Sequence, residues 1–160
     1  MRNAADKLIP FDQARVLAVS LKHAGRRLIS TNGCFDLLHL GHLNYLAQAR
    51  QLGDCLWVGL NADASVRRHK GPSRPIQDQQ TRALQLAALE AVDYVTLFEQ
   101  DTPEDWLGLV QPTVHVKGGD YRPQDLPEGK VVIAGGGSVQ CLPFTPGFST
   151  TDLVARIKAS

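Results

Sequence analysis

The stretch Thr31-Asn32-Gly33-Cys34-Phe35-Asp36-Leu37-Leu38-His39-Leu40-Gly41-His42 decides how this chain is read. Ahead of it, residues 27–30 lead into a first strand. Behind it, residues 41–52 carry apolar side chains at helical spacing, with Leu43, Leu46 and Ala47 facing inward and Gly53 as the stop. Strand, glycine-containing loop and helix in that order open a βα unit. In an open parallel sheet ligands gather at the carboxyl ends of the strands, where the free N–H groups of the following helix attract phosphate. Gly33 and Gly41 permit close backbone approach at that place. His39 and His42 are three residues apart, so both imidazoles can point toward one polyphosphate and donate hydrogen bonds to it. A lone HxxH recurs by chance and more often marks ordinary surface histidines; its position after the first strand favours the phosphate reading. A zinc site would need a third ligand, and apart from Cys34 upstream no His or Cys stands at ligand spacing. Neither GxGxxG nor GxxxxGK[ST] follows the strand, so the cradle is of neither the dinucleotide-binding nor the P-loop type.

Outward from this unit, a first helix is expected from Asp12, as N-cap, through Val16, Leu17 and Leu21 to near Gly25. Cys55-Leu56-Trp57-Val58-Gly59-Leu60 is an almost unbroken apolar run, as expected of a parallel strand buried on both faces. Asp78 caps a helix carrying Leu84, Leu86, Ala87 and Leu89, residues 94–97 form a third strand, and Thr102-Pro103-Glu104 starts another helix at Thr102. Residues 113–116 are strand four. Residues 130–134 and 138–142 read as two short strands joined by Gly135-Gly136-Gly137, and residues 149–158 as a closing helix. This alternation predicts an α/β fold, a Rossmann-like open parallel sheet with helices on both faces.

The 160 residues suit a single domain, with residues 1–25 as an N-terminal helical extension. Apolar residues make up 43% and charged residues 21%, enough for a substantial core and unlike a disordered chain. Seventeen Lys and Arg against sixteen Asp and Glu give a net charge of +1, which provides no field for gripping a nucleic acid; any bound anion is small and locally held. Cys34, Cys55 and Cys141 form no CxxC pair and no disulfide framework, which fits a reducing compartment. No signal peptide is apparent and no window approaches about 18 apolar residues, so a soluble, cytoplasmic protein with no membrane association is expected. Cys34 reads as a packing residue, Trp57 and Trp106 as core aromatics, and His23 and His115 as helix-surface and strand residues without an evident partner.

The segment from Thr31 to His42 resembles the HxGH nucleotidyltransferase superfamily, whose signature, here His39-Leu40-Gly41-His42, is shared with class I aminoacyl-tRNA synthetases. The resemblance runs on through Asn61-Ala62-Asp63, Lys70-Gly71, Ser73-Arg74-Pro75, Arg82, Leu89-Glu90-Ala91-Val92-Asp93, Val116-Lys117-Gly118-Gly119-Asp120-Tyr121 and Ser149-Thr150-Thr151. Within the superfamily it is most similar to the adenylyltransferase half of the bifunctional heptose-phosphate kinase/adenylyltransferases, which make ADP-heptose for lipopolysaccharide. The implied reaction transfers AMP from ATP to D-glycero-D-manno-heptose 1-phosphate and releases pyrophosphate. About 25 residues ahead of strand one are too few for a sugar-kinase domain, so a stand-alone transferase served by a separate kinase is expected. Glycerol-phosphate cytidylyltransferases are the nearest competitors, but their Arg-Thr pair before Ser-Thr-Thr is missing here, where the stretch is Phe144-Thr145-Pro146-Gly147-Phe148. A non-catalytic nucleotide-binding module and RNA handling are the rivals of other classes; the intact His39, His42 and Lys70 set speaks against the first and the lack of basic excess against the second.

The resemblance also implies roles. His39 and His42 act on the ATP phosphates, and Lys70 reaches them as a flexible point charge; these are the candidate catalytic groups. Thr31, Asn32, Gly33, Cys34, Phe35, Asp36 and Gly41 form the phosphate loop, with Phe35 and Asp36 shaping it. Arg82 is a phosphate or pyrophosphate ligand by family match. Lys117, Gly118, Gly119 and Asp120 belong to the nucleotide and acceptor pocket, and Ser149, Thr150 and Thr151 make a second anion cradle at a helix start. Mg²⁺ is the expected cofactor, riding on the polyphosphate without a dedicated protein cage. ATP and a sugar 1-phosphate are the expected partners, and a homo-oligomer is implied.

Overall fold

The computed structural model describes residues 2–160. Five parallel strands, β1 (Leu28–Gly33), β2 (Cys55–Asn61), β3 (Tyr94–Phe98), β4 (Val114–Gly118) and β5 (Ser138–Leu142), pair in the order β3-β2-β1-β4-β5. The helices are α1 (Ala14–His23), α2 (Leu40–Arg50), α3 (Asp63–Lys70), α4 (Gln79–Ala88), α5 (Glu104–Val110), α6 (Pro127–Ala134) and α7 (Thr150–Ala159).

Every residue of β2 is buried, which its unbroken apolar run requires of a central strand covered on both faces. Leu56, Val58 and Leu60 point to one side, where Leu46 and Ala49 of α2 and Leu86 and Ala87 of α4 close a core. Trp57 points to the other and packs with Trp106 of α5, Ala14 and Ala18 of α1 and Val132 of α6. Gly59 lets α5 approach: a Cβ there would lie 2.6 Å from the Trp106 ring. At the outer border Leu8 bridges to Val95 of β3, the Ile9 amide donates to the Val95 carbonyl at 2.8 Å, and Lys7 Nζ donates to the Val92 carbonyl at 2.7 Å.

The chain steps outward from β1 to β2 to β3 and then returns past β1 to β4 and β5. Strand order therefore reverses between β1 and β4, and the crevice at their carboxyl ends is where open α/β sheets bind ligands.

Several local expectations are corrected. Residues 130–134 lie in α6: two strands joined by three glycines would run antiparallel, whereas β4 and β5 are parallel and need a crossover helix. Thr31, Asn32 and Gly33 complete β1 instead of forming loop. The helix expected from Thr102 begins at Glu104 with Pro103 as its N-cap, and α1 is preceded by the 3-10 turn Phe11–Gln13 in place of an Asp12 cap. Residues 67–70 close α3. On α2 the buried residues are Leu46 and Ala49, while Leu43 and Ala47 are exposed.

Candidate active site

A hollow of about 650 Å³ opens at the carboxyl ends of β1 and β4. Asn32 to Asp36 form one wall, His39, Gly41, His42 and Tyr45 of the α2 start another, and Lys70 at the end of α3, Lys117 and Gly118 at the end of β4 and residues 143–152 complete it.

His39 is the extended N-cap of α2, and His42 lies one turn on; their rings stack at 3.8 Å between centroids and 22° between planes. Two imidazolium ions so placed would repel, and the surroundings favour the neutral form of both rings. Burial lowers the His39 pKa; burial, then His39 and Lys70, push His42 down to about 4. His42 Nδ1 accepts from the His39 main-chain N–H at 3.4 Å, which leaves the ring proton on Nε2, so His42 is a neutral donor. His39 Nδ1 is buried with no partner among the described residues. Gly41 is required between them, since a Cβ there would stand 2.9 Å from the His39 ring and 3.3 Å from Phe148.

The loop that delivers these rings makes two left-handed turns, Phe35 at φ 45° and Leu37 at φ 57°, conformations that cost free energy in residues other than glycine and persist only when held by their surroundings. They are held from three sides. Asp36 accepts from the Ile76 and Gln77 amides at 2.7 and 3.0 Å and from Arg74 Nε at 3.0 Å; burial opposes its ionisation, but these bonds outweigh it and keep the carboxyl below its usual range. Thr150 Oγ1 donates to the Asp36 carbonyl at 3.1 Å, joining the loop to the start of α7. Arg82 lies beneath, fully buried.

At α7, Ser149 accepts from the Asp152 amide at 3.0 Å, and with Thr150 and Thr151 presents a helix N-terminus to the hollow. On the β4 side Lys117 pairs with Glu128 of α6 at 2.7 Å; burial opposes the Glu128 charge, yet the lysine keeps its carboxyl low. The sequence-expected residues so brought to the hollow are Asn32, Gly33, Cys34, Phe35, Asp36, His39, Gly41, His42, Lys70, Lys117, Gly118, Ser149, Thr150 and Thr151.

Four expected residues do not line the hollow. Thr31 is buried, its hydroxyl donating to the Val116 carbonyl and bonded to the Tyr45 hydroxyl. Gly119 and Asp120 lie beyond the rim at the end of β4. Arg82, expected as a phosphate ligand, is instead enclosed by protein acceptors and has no surface on the hollow. Sequence reading missed Tyr45 and the strap of residues 143–148, because an aromatic on a helix and a Pro-Phe-Thr-Pro run carry no chemical signature by themselves. His115, expected without a partner, is fully buried with Nδ1 bonded to Ser30 Oγ at 2.8 Å.

Among the described residues no group of three or more His, Cys, Asp and Glu side chains is placed to hold a metal. The Asp36 carboxylate is engaged by Arg74, Ile76 and Gln77, but Asn32 Oδ1, without a partner among the described residues, and the Asp152 carboxylate suit an ion that takes most of its shell from phosphate and water. No helix among the described residues is long and apolar enough to cross a membrane.

A reversed strand order, two stacked imidazoles at the first helix start and a second helix start facing them across the hollow define a nucleotidyltransferase-type α/β domain. The chain belongs to the cytidylyltransferase-like family, whose model matches residues 30–156, and membership implies a nucleotide substrate. It is 50% identical over 133 residues to the bifunctional protein HldE of Trichlorobacter lovleyi, covering 83% of this chain and 27% of that protein. It is 51% identical over 142 residues to the bifunctional protein HldE of Proteus mirabilis, covering 88% of this chain and 30% of that one. The chain thus spans under a third of the length of these curated relatives. Among solved structures it is similar to the lipopolysaccharide core biosynthesis protein of Thermoplasma volcanium, with TM-score 0.63, 28% identity and coverage of 76% of this chain and 98% of that one. The pantoate-beta-alanine ligase of Francisella tularensis, 12% identical with TM-score 0.60 over 94% of this chain and 76% of that one, shares the fold.

Proposed function

We propose that this chain transfers AMP from ATP to D-glycero-D-manno-heptose 1-phosphate, giving ADP-heptose and pyrophosphate. The observation that carries the reading is the stacked His39 and His42 pair at the switch point, with Lys70 beside it and the α7 N-terminus opposite. The half-identity to the HldE proteins and the likeness to a lipopolysaccharide core biosynthesis protein support heptose as the sugar.

In this reading an oxygen of the sugar 1-phosphate attacks the α-phosphorus of ATP. A bond forms from that oxygen to phosphorus, the bond to the β-phosphate oxygen breaks, and pyrophosphate leaves with the electron pair. A phosphate monoester is largely ionised at neutral pH, its second pKa being about 6, so no base has to remove a proton. The protein's work is orientation and charge stabilisation. His42 donates from Nε2 toward the α-phosphate oxygens, His39 shares that role, Lys70 offsets the growing charge, and the α7 amides with Ser149, Thr150 and Thr151 hold the departing end. Lys117 and Gly118 face the acceptor side. Mg²⁺, carried mainly by the triphosphate, would neutralise it further. We further propose that the described residues work as one domain, as a homo-oligomer, and in the cytoplasm where ATP is made.

A pyrophosphate-release screen crossing ATP, CTP and GTP with heptose, glycerol and ribitol phosphates tests the reading. Release with ATP and heptose 1-phosphate is expected. Release with CTP and glycerol 3-phosphate alone would overturn the substrate and keep the chemistry; saturable ATP binding without release across all pairs would make the chain a non-catalytic module.

A further inference from the structure

Arg82 is a large cation with no exposed surface, and its donors are engaged by the protein itself. Nη1 donates to the Cys34 carbonyl at 2.7 Å and to the Asn61 carbonyl at 2.9 Å, Nε donates to the Gln77 carbonyl at 3.0 Å, and Nη2 pairs with Asp63 at 2.8 Å. These acceptors come from four places: the phosphate loop, the end of β2, the start of α3 and the segment before α4. Gln77 is bound twice, because its amide also donates to Asp36. Arg82 and Asp36 therefore clamp the phosphate loop to residues 76–77 from opposite signs of charge.

The Cys34 carbonyl is the step to the chemistry. It immediately precedes Phe35, whose left-handed backbone turns its ring under Gly33, where a Cβ would come within 2.9 Å, and against His42 at 5.3 Å between centroids. A carbonyl held at one orientation fixes the peptide plane from which the φ of Phe35 is measured, and the bonds of Asp36 to Ile76, Gln77 and Thr150 hold the chain on the far side of that rotation.

We propose that Arg82 is a positioning residue for the transfer site: by gripping the Cys34 carbonyl, it helps to hold the Phe35 turn and hence the orientation of the His42 imidazole toward the hollow. It touches no phosphate. The inference rests on the nucleotidyl-transfer reading for its kinetic consequence, but not for its structural one.

The test compares the wild-type chain with Arg82→Lys and, in case that variant fails to fold, Asp63→Asn, which weakens the grip on Nη2 while leaving the hollow's lining unaltered. Imidazole NMR titration follows His42 in the free protein, and ATP and sugar-phosphate kinetics run in parallel. With Arg82→Lys, the His42 titration is expected to move upward from about 4 as its cover loosens, and kcat to fall by about a hundredfold with little change in KM for ATP. Asp63→Asn should move both in the same direction by less. An unchanged His42 titration with a raised KM for ATP would overturn the proposal and return Arg82 to the role of a phosphate ligand. If wild type shows no turnover with any substrate pair, the functional reading fails, and the titration alone still decides the positioning role.

Discussion

Gly41 separates the two imidazoles proposed to face one anion, and the space beside it is already taken. In Gly41→Ala the new methyl, 2.9 Å from His39 Cε1 and 3.3 Å from Phe148 Cβ, has to push one of them aside. Turnover is expected to drop by about a hundredfold, approaching that of His42→Ala, for which the loss of one donor to a developing oxyanion corresponds to about 2.7–4 kcal/mol; steady-state kinetics of both variants check this. A second residue-scale effect concerns His115, which burial, aided by Lys117, pushes down to about 3. The unfolded chain protonates this histidine as pH falls below 6.5, while the folded protein does not until about 3. Acidification through that window therefore favours unfolding, with a slope approaching about 1.4 kcal/mol per pH unit. His115→Gln, which keeps a partner for Ser30, should flatten the acid limb in urea melts between pH 7 and pH 4. The motif histidines were legible because spacing and place in the chain coincide. Arg82 was legible as a residue of note but its carbonyl partners were not, since a helix-face arginine reads the same whatever acceptors folding brings to it.

Among the elements, α7 owes its start to a single hydroxyl. Ser149→Ala removes the acceptor for the Asp152 amide and costs about 1 kcal/mol of local helix stability. Fraying of that turn should raise KM for ATP more than it lowers kcat, as measured by initial rates at varied nucleotide. Strands β2 and β3 and helix α4 could be read from hydropathy because each carries a buried stripe or run, whereas α2, with Leu43 and Ala47 exposed, was placed by its position after the loop and by its Gly53 stop. Helix α3 could not, since Asp-Ala-Ser-Val-Arg-Arg-His-Lys holds one buried aliphatic residue, Val66, and a basic end that resembles a turn. The β-branched Val131, Val132 and Ile133 pointed to a strand; the parallel direction of β4 and β5, invisible in local sequence, makes them a crossover helix.

For the molecule as a whole, the alternation of strands and helices announced the class of fold, but the order β3-β2-β1-β4-β5 depends on pairings between distant segments and appears only in the folded chain. That order places the hollow. The two cores beside the sheet meet at β2, and Gly59→Ala, which forces a methyl into the Trp106 ring, should cost about 1–3 kcal/mol in chemical denaturation while leaving KM values unchanged. The leading segment has a consequence of a different kind. Unsatisfied amides and carbonyls on a terminal strand recruit strands from neighbouring molecules. Because Leu8 and Ile9 occupy those positions at Val95, anchored by Lys7, the β3 border is shielded by the protein's own backbone against fibre-like growth at that point.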